Sequence, residues 1–159
     1  MSSHGQVPRP GDRLAQVLAT LFGVGYSPIA PGTAGTLVTV PLAYGLGRLG
    51  EPALWAGTLL VIVIAVWAAS RAERIYGEHD ASRIVIDEAA GYLVAVSLAP
   101  GGAAHLVPAF VLFRVFDILK PPPIGAIDRR VAGGLGVVLD DVAAGIYAAI
   151  ALFLLDRLA

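Results

Sequence analysis

Long apolar stretches separated by short polar groups make up most of the chain. No Asp, Glu, Lys or Arg occurs at positions 14–47, 52–70 or 89–113. The stretch 52–70 holds 19 uncharged residues with a tryptophan near each end. At about 1.5 Å per residue, a helix of this length nearly crosses a ~30 Å hydrocarbon core. The pattern therefore predicts a membrane-spanning helix at 52–70.

The other apolar stretches also predict helices, because they are rich in Ala, Leu and Gly and too long for strands. Several are short for a full crossing, so a buried-helix alternative stays open for each. We predict an all-α fold, a compact bundle of about six helices, with one domain at 14–159 behind a flexible N-terminal tail at 1–13. The further helices are expected at 14–26, 31–47, 84–99, 104–119 and 142–155.

The distribution of Lys and Arg predicts a topology, because cytoplasmic loops carry an excess of these residues. If 14–26 lies at the interface and the other five stretches cross, nine of the eleven basic residues fall on the cytoplasmic side. That arrangement places the SPIAPGTAGT turn, the Asp87–Glu88 pair and the stretch 114–141 on one membrane face. The predicted chemistry therefore faces the cytoplasm.

Composition supports a membrane protein and excludes several other classes. Hydrophobic residues make up 57% and charged residues 14% of the chain, against roughly 25% charged in a soluble domain. The net charge of −1 gives no basic footprint, so we expect no nucleic-acid partner. The chain has no cysteine, which excludes thiolate nucleophiles, disulfides and thiolate metal ligands.

Asp87 and Glu88 interrupt an apolar helical pattern in RIVIDEAAGYLVAV. Carboxylates near hydrocarbon are costly unless paired, metal-bound or hydrated, so this pair is a functional candidate. The alternative is a helix N-terminus at the interface, where carboxylates suit the helix dipole. Gly91, one turn later, leaves room for a neighbouring helix.

Arg114, Asp117 and Lys120 recur every three residues in FRVFDILKPPP and so share one helix face. Two cations and a carboxylate suit a phosphate with a metal ion, because the cations hold anionic oxygens and the carboxylate holds the metal. Taken alone, a solvated and self-compensating charge stripe explains the spacing equally well.

The stretch IDRRVAGGLGVVLDD adds Asp128, Arg129 and Arg130, followed by Asp140 and Asp141. One of the last two acids would cap the helix expected to follow, and the second exceeds what capping needs. With the acids above, six carboxylates converge on the predicted face. Oxygen ligands without cysteine suit a hard cation such as Mg²⁺.

The SPIAPGTAGT segment predicts a turn into a helix, with Thr33 as N-cap and Thr36 in the first turn. Free N–H groups at a helix start bind phosphate, and the hydroxyls add donors. A purely structural cap is the stronger interpretation of this segment by itself.

Taken together, four fragments in this order resemble the phosphatidylglycerophosphatase A family. They are GVGYSPIAPGTAGT, IVIDEAAGY, FVLFRVFDILKPPPIGAIDRR and GGLGVVLDDVAAGIYA. The resemblance implies a Mg²⁺-dependent lipid phosphatase of the bacterial cytoplasmic membrane. Its expected reaction converts phosphatidylglycerophosphate to phosphatidylglycerol and inorganic phosphate. The oligomeric state stays open.

The resemblance also implies the site. The expected catalytic residues are Asp87, Glu88, Asp117, Lys120, Asp128, Asp140 and Asp141. Metal ligands are expected among Asp87, Glu88, Asp117, Asp140 and Asp141. Phosphate-binding residues are expected to be Arg114, Lys120, Arg129 and Arg130, together with Thr33 and Thr36 from the helix start described above.

Two hydrolytic routes are compatible with a chain that lacks cysteine: attack by Mg²⁺-activated water, or an aspartyl-phosphate intermediate. The sequence has no Asp-x-Asp signature, which favours water. The alternative function is a small helical membrane transporter or binding subunit, since intramembrane acids also mark ion pathways.

Overall fold

The computed structural model describes residues 9–99 and 101–158. Every secondary-structure element within these residues is a helix. The all-α prediction is confirmed, with seven α-helices in place of the expected six or so. Short 3-10 turns lie at Val24–Tyr26 and Gly102–His105. The helices are α1 Asp12–Ala19, α2 Pro31–Arg48, α3 Glu51–Tyr76, α4 Ile86–Leu98, α5 Leu106–Leu119, α6 Ile124–Arg130 and α7 Gly133–Leu158.

Helix α4 forms the centre of the bundle, and ten of its 13 residues are buried. It packs against α2, α3, α5 and α7. Because the helix is apolar on every side after its first turn, such enclosure removes more apolar surface from solvent than a one-sided contact would. The hydroxyl of Tyr92 in this helix donates to the carbonyl of Leu106 at 2.9 Å. The position of α4 fixes where its first turn, with Asp87 and Glu88, lies.

Helices α4 and α7 touch backbone to backbone at two glycines. A Cβ on Gly145 would overlap the carbonyl oxygen of Gly91, and a Cβ on Gly91 would overlap that of Asp141. Small residues permit this close approach between apolar helices. At this crossing the first half of α4 lies against the middle of α7.

Three helical segments are long and apolar enough to cross a membrane: Glu51–Tyr76, Gly102–Leu119 and Gly133–Leu158. Large apolar side chains cover their outward faces, and such extensive exposed apolar surface suits lipid contact. Helices α2 and α4, the other two crossings of the predicted topology, have 18 and 13 residues. Exposed examples are Leu59, Leu60, Val63, Val107, Val111, Ile118, Ile150, Phe153 and Leu154.

Helix α7 begins at Gly133, nine residues before the predicted start at 142. Asp140 and Asp141 therefore lie two turns inside the helix, so the predicted capping role is wrong. The sequence did not indicate a helix start at Gly133, because glycine has a low helix propensity. The structure gives a packing reason for it, because a Cβ on Gly134 would overlap the backbone nitrogen of Ser70.

The remaining differences occur at helix starts and ends. Helix α2 is preceded by Ala30 and starts with Pro31, so Thr33 is the third residue of the helix and not its N-cap. The stretch expected at 14–26 is divided, because α1 ends at Ala19 and positive φ angles follow at Leu21 and Phe22. Helix α6 was not predicted.

Candidate active site

Three carboxylates form a cluster that we name the carboxylate triad: Asp87, Glu88 and Asp141. Asp87 and Glu88 belong to the first turn of α4, and Asp141 comes from α7. One oxygen from each residue lies within 4.8 Å of the others. Asp87 is 5% exposed and Asp141 is 3% exposed. The triad is therefore a compact acidic centre shielded from solvent.

The triad contains carboxylate oxygens whose hydrogen-bonding capacity is unused. Among the described residues, Asp87 Oδ1, Glu88 Oε2 and Asp141 Oδ2 are buried without a hydrogen-bond partner. Buried, adjacent and unpaired carboxylates repel one another and lack solvation, which a bound cation would remedy. Hard oxygen donors are those that Mg²⁺ prefers. The residues present thus fit a divalent cation.

Lys120 connects two further acids in an arrangement that we name the lysine cluster. Its Nζ donates to Asp128 Oδ1 at 2.9 Å and to Asp140 Oδ2 at 2.7 Å. Burial lowers the pKa of Lys120, but the hydrogen bonds to Asp140 and Asp128 outweigh it and raise the pKa above its usual value. The amine therefore stays protonated and joins α6 and α7 to the end of α5.

Arg114 links the triad to Asp117. Its guanidinium forms an ion pair with Asp117, one turn later in α5, and lies 3.8 Å from Glu88 Oε1. Its Nε is buried and has no hydrogen-bond partner within the described part of the chain. Arg114 therefore places a positive charge beside the triad.

The start of α2 lies directly against this arginine and Glu88. A Cβ on Gly32 would overlap Glu88 Oε1 and would lie 3.2 Å from an Arg114 terminal nitrogen. Sequence reasoning did not single out Gly32, although the turn that contains it was expected on this face. Only a residue without a side chain allows the helix start to come so close.

The two threonines of α2 differ in their surroundings. Thr36 is fully buried, and its hydroxyl donates to the carbonyl of Gly32 at 2.9 Å. Thr33 is half-buried in the first turn of the helix. The hydroxyl proton of Thr36 is thus used within α2, whereas Thr33 remains nearer the surface.

Arg129 and Arg130 end α6, immediately after Asp128, and both are exposed. Within the described residues neither forms an ion pair. The structure thus brings Asp128 into the lysine cluster and leaves the two arginines at the adjoining surface.

Asp80 is a neighbour of the lysine cluster that sequence reasoning missed. It follows α3 with φ of 48°, and its backbone N–H donates to Glu73 Oε1 at 3.0 Å. Partial desolvation raises the pKa of Asp80, while the charge of Lys120 opposes the shift and that of Asp128 adds to it. The polar sequence YGEHD was the only available signal, and it shows no spacing that points to Lys120.

The fold and the site together define a class of protein. It is an all-α protein with helices apolar enough to cross a membrane and a buried carboxylate site suited to a cation. A family model described as phosphatidylglycerophosphatase A matches residues 17–156. The chain belongs to this family of enzymes, as the resemblance implied.

Curated relatives extend the comparison. The chain is 38% identical over 134 residues to phosphatidylglycerophosphatase A of Escherichia coli, covering 84% of this chain and 78% of the relative. It is 37% identical over 142 residues to the Haemophilus influenzae protein of the same name, covering 86% and 85%.

A third relative carries a different name. A Bacteroides thetaiotaomicron protein named "Putative phosphatidylinositol-3-phosphatase" is 38% identical over 142 residues, covering 84% of this chain and 88% of the relative. No solved structure gives a significant match to the chain.

Proposed function

We propose that this protein hydrolyses the terminal phosphate monoester of phosphatidylglycerophosphate, giving phosphatidylglycerol and inorganic phosphate. Family membership supports the reaction class. The observation that carries the proposal is the buried carboxylate triad with unpartnered oxygens, next to Arg114. Hydrolysis of phosphate monoesters is extremely slow without catalysis, so charge neutralisation at the phosphate is the main task of such a site.

Asp87, Glu88 and Asp141 would hold Mg²⁺, because they form the triad and their oxygens lack other partners. When bound, the ion supplies neutralisation of phosphate charge and activation of water for attack. Asp117 and Asp140, the other two expected ligands, pair with Arg114 and Lys120 respectively. In this proposal they hold the cations in place.

The chain's own donors bind the phosphate. The Arg114 guanidinium, beside Glu88, binds the phosphate oxygens, and the Lys120 ammonium contributes a positive charge held by two acids. Asp140 keeps one buried oxygen, Oδ1, without a partner, and this oxygen accepts the proton of the attacking water. The same proton then goes to the leaving alkoxide as the ester P–O bond breaks.

In this proposal, the remaining residues contribute to binding of the lipid headgroup. Arg129 and Arg130 are exposed and attract the anionic headgroup to the membrane surface. Thr33 and the N–H groups at the start of α2 add donors near Glu88, and Thr36 shapes this helix start.

We further propose the topology that the charge distribution favours. A single domain at 14–159 crosses the bacterial cytoplasmic membrane five times, and its acidic centre faces the cytoplasm. The proposed tail at 1–13 includes residues 1–8, which lie outside the described residues, and α1 begins at Asp12. Nine basic residues on the site's face support this orientation.

The proposal is tested by phosphate release from purified phosphatidylglycerophosphate, with and without Mg²⁺, for the wild type and Asp140→Asn. The matched control is Glu51→Gln, which removes an exposed carboxylate outside the site at the start of α3. We expect release that needs both Mg²⁺ and Asp140 and is unchanged in the control. Absence of release from folded, Mg²⁺-loaded protein would overturn the proposal.

A second candidate substrate comes from the Bacteroides thetaiotaomicron relative, whose name is putative phosphatidylinositol-3-phosphatase. Phosphatidylinositol 3-phosphate also carries a phosphate monoester on its headgroup, so the same site chemistry applies. Measuring kcat/KM for both lipids in the same assay decides between them.

A further inference from the structure

We infer that the Lys120 ammonium is a built-in cation, standing between Asp128 and Asp140 where a second divalent ion would otherwise bind, so that each chain takes one divalent ion. That ion belongs to the carboxylate triad. The inference deepens the proposed function and rests on its metal chemistry, but it does not depend on which lipid is the substrate.

The first argument is the different state of the two acidic clusters. In the lysine cluster, one nitrogen contacts a carboxylate oxygen of each acid at 2.7 and 2.9 Å, and one further oxygen, Asp140 Oδ1, is buried without a partner. In the triad, three buried oxygens lack partners, and the neighbouring Arg114 reaches only to 3.8 Å from Glu88. Lys120 supplies the positive charge in the lysine cluster, whereas a bound ion would supply it in the carboxylate triad.

The second argument is that Lys120 is fixed at its backbone. Its φ is 44°, a left-handed conformation that a residue with a side chain rarely adopts, and its N–H donates to the Phe116 carbonyl at 2.9 Å. Three prolines follow it in the sequence. A Cβ on Gly125 would lie only 2.9 Å from the Lys120 carbonyl oxygen, so α6 packs tightly against this turn.

The third argument is the position of Asp140, which stands beside Asp141 in α7 and is 5% exposed on its side chain. A buried carboxylate without a cation would be unfavourable there. Lys120 is the only lysine in the chain. Its ammonium is a compact charge able to contact two carboxylates at once, as a metal ion would.

The test measures the number of Mn²⁺ ions bound per chain, using electron paramagnetic resonance on the full-length purified protein without substrate. We expect one ion for the wild type and none for Asp141→Asn. Lys120→Ala should bind a second, weaker ion, at least tenfold weaker than the first, because Asp128 and Asp140 lose their cation. Lys120→Arg should keep one.

The double variant Lys120→Ala/Asp128→Asn separates the inference from a general loosening of the site. Its lysine cluster retains a single carboxylate, so binding should return to one ion. Circular dichroism and thermal unfolding establish that each variant is folded. Should Lys120→Ala not fold, Asp128→Asn in the wild-type background still decides, because it should leave one ion and full Mn²⁺ affinity.

Two ions in the wild type, or a fall in affinity in Asp128→Asn, would overturn the inference. One ion in folded Lys120→Ala would overturn it as well. These outcomes differ from failure of the proposed function, which would appear as Mg²⁺-independent phosphate release or none at all.

Discussion

Gly91 of α4 and Gly145 of α7 are in direct backbone contact: a Cβ on Gly145 would overlap the Gly91 carbonyl oxygen. Asp87 and Glu88 lie one turn before Gly91, and Asp141 lies one turn before Gly145. The two helices therefore bring their acids together because they cross at residues without side chains. The acidic centre depends on this crossing as much as on the acids themselves.

Gly145→Ala should destabilise the protein and weaken the site together. The added methyl group has no space, and overpacking in a close-packed interior typically costs about 1–3 kcal/mol. We expect a lower Tm and loss of Mn²⁺ binding. The control is Gly47→Ala in α2, where nothing lies within 4 Å of the added Cβ and stability should hold or rise. Equal effects of the two substitutions would contradict the crossing argument.

Asp141→Asn should abolish activity yet stabilise the metal-free protein. The substitution removes one of three clustered buried charges, and we expect about 1 kcal/mol of added stability in the presence of EDTA. Thermal unfolding with and without Mg²⁺ checks both parts. The wild type should gain stability on adding Mg²⁺, and the variant should gain none. A variant that responds to Mg²⁺ like the wild type would place the ion elsewhere.

Gly32→Ala should lower kcat while leaving Tm nearly unchanged. The Cβ would displace Glu88 and Arg114 from their present positions, and small displacements of catalytic groups cost on the order of 10²-fold in rate. Phosphate release measures the effect. Gly45→Ala in the same helix is the control, because its Cβ would meet open space. A normal rate in Gly32→Ala would show that Glu88 and Arg114 tolerate displacement.

Arg129→Gln/Arg130→Gln should raise KM for lipid in anionic vesicles more than it lowers kcat. Each basic residue near an anionic surface contributes about 1 kcal/mol to attraction, so the pair gives roughly a tenfold to thirtyfold effect at low salt. Added salt should shrink the difference from wild type. Arg157→Gln, an exposed arginine near the end of α7, is the control. An unchanged KM would assign the two arginines to another role.

The acids of the site could be selected from the sequence because charge is rare in the apolar stretches. The pair Asp87–Glu88 stands out for this reason, and the three-residue spacing of Arg114 and Asp117 places them on one helix face. The ion pair between these two residues agrees with that spacing. What the sequence did not reveal is how the acids divide between the triad and the lysine cluster, since that depends on tertiary contacts.

The glycines account for most of what was missed. Gly133 and Gly134 lie before the helix expected at 142–155, because glycine has a low helix propensity, yet they begin α7. At Gly134 the close packing against Ser70 of α3 leaves no space for a side chain. The role of Gly32 depends on a contact with Glu88, which is 56 residues later in the chain. Patterns along the sequence describe local preference, and these positions are decided by what lies opposite them.

Under the proposed function, the crossing of α4 and α7 also determines when the chain can become active during its synthesis. Asp87 and Glu88 are made more than fifty residues before Asp141, and α5 and α6 lie between α4 and α7 in the chain. A nascent chain that ends before Gly145 has acids but no assembled centre. Under the proposed function, hydrolysis therefore requires that α7 has been made at least as far as Asp141.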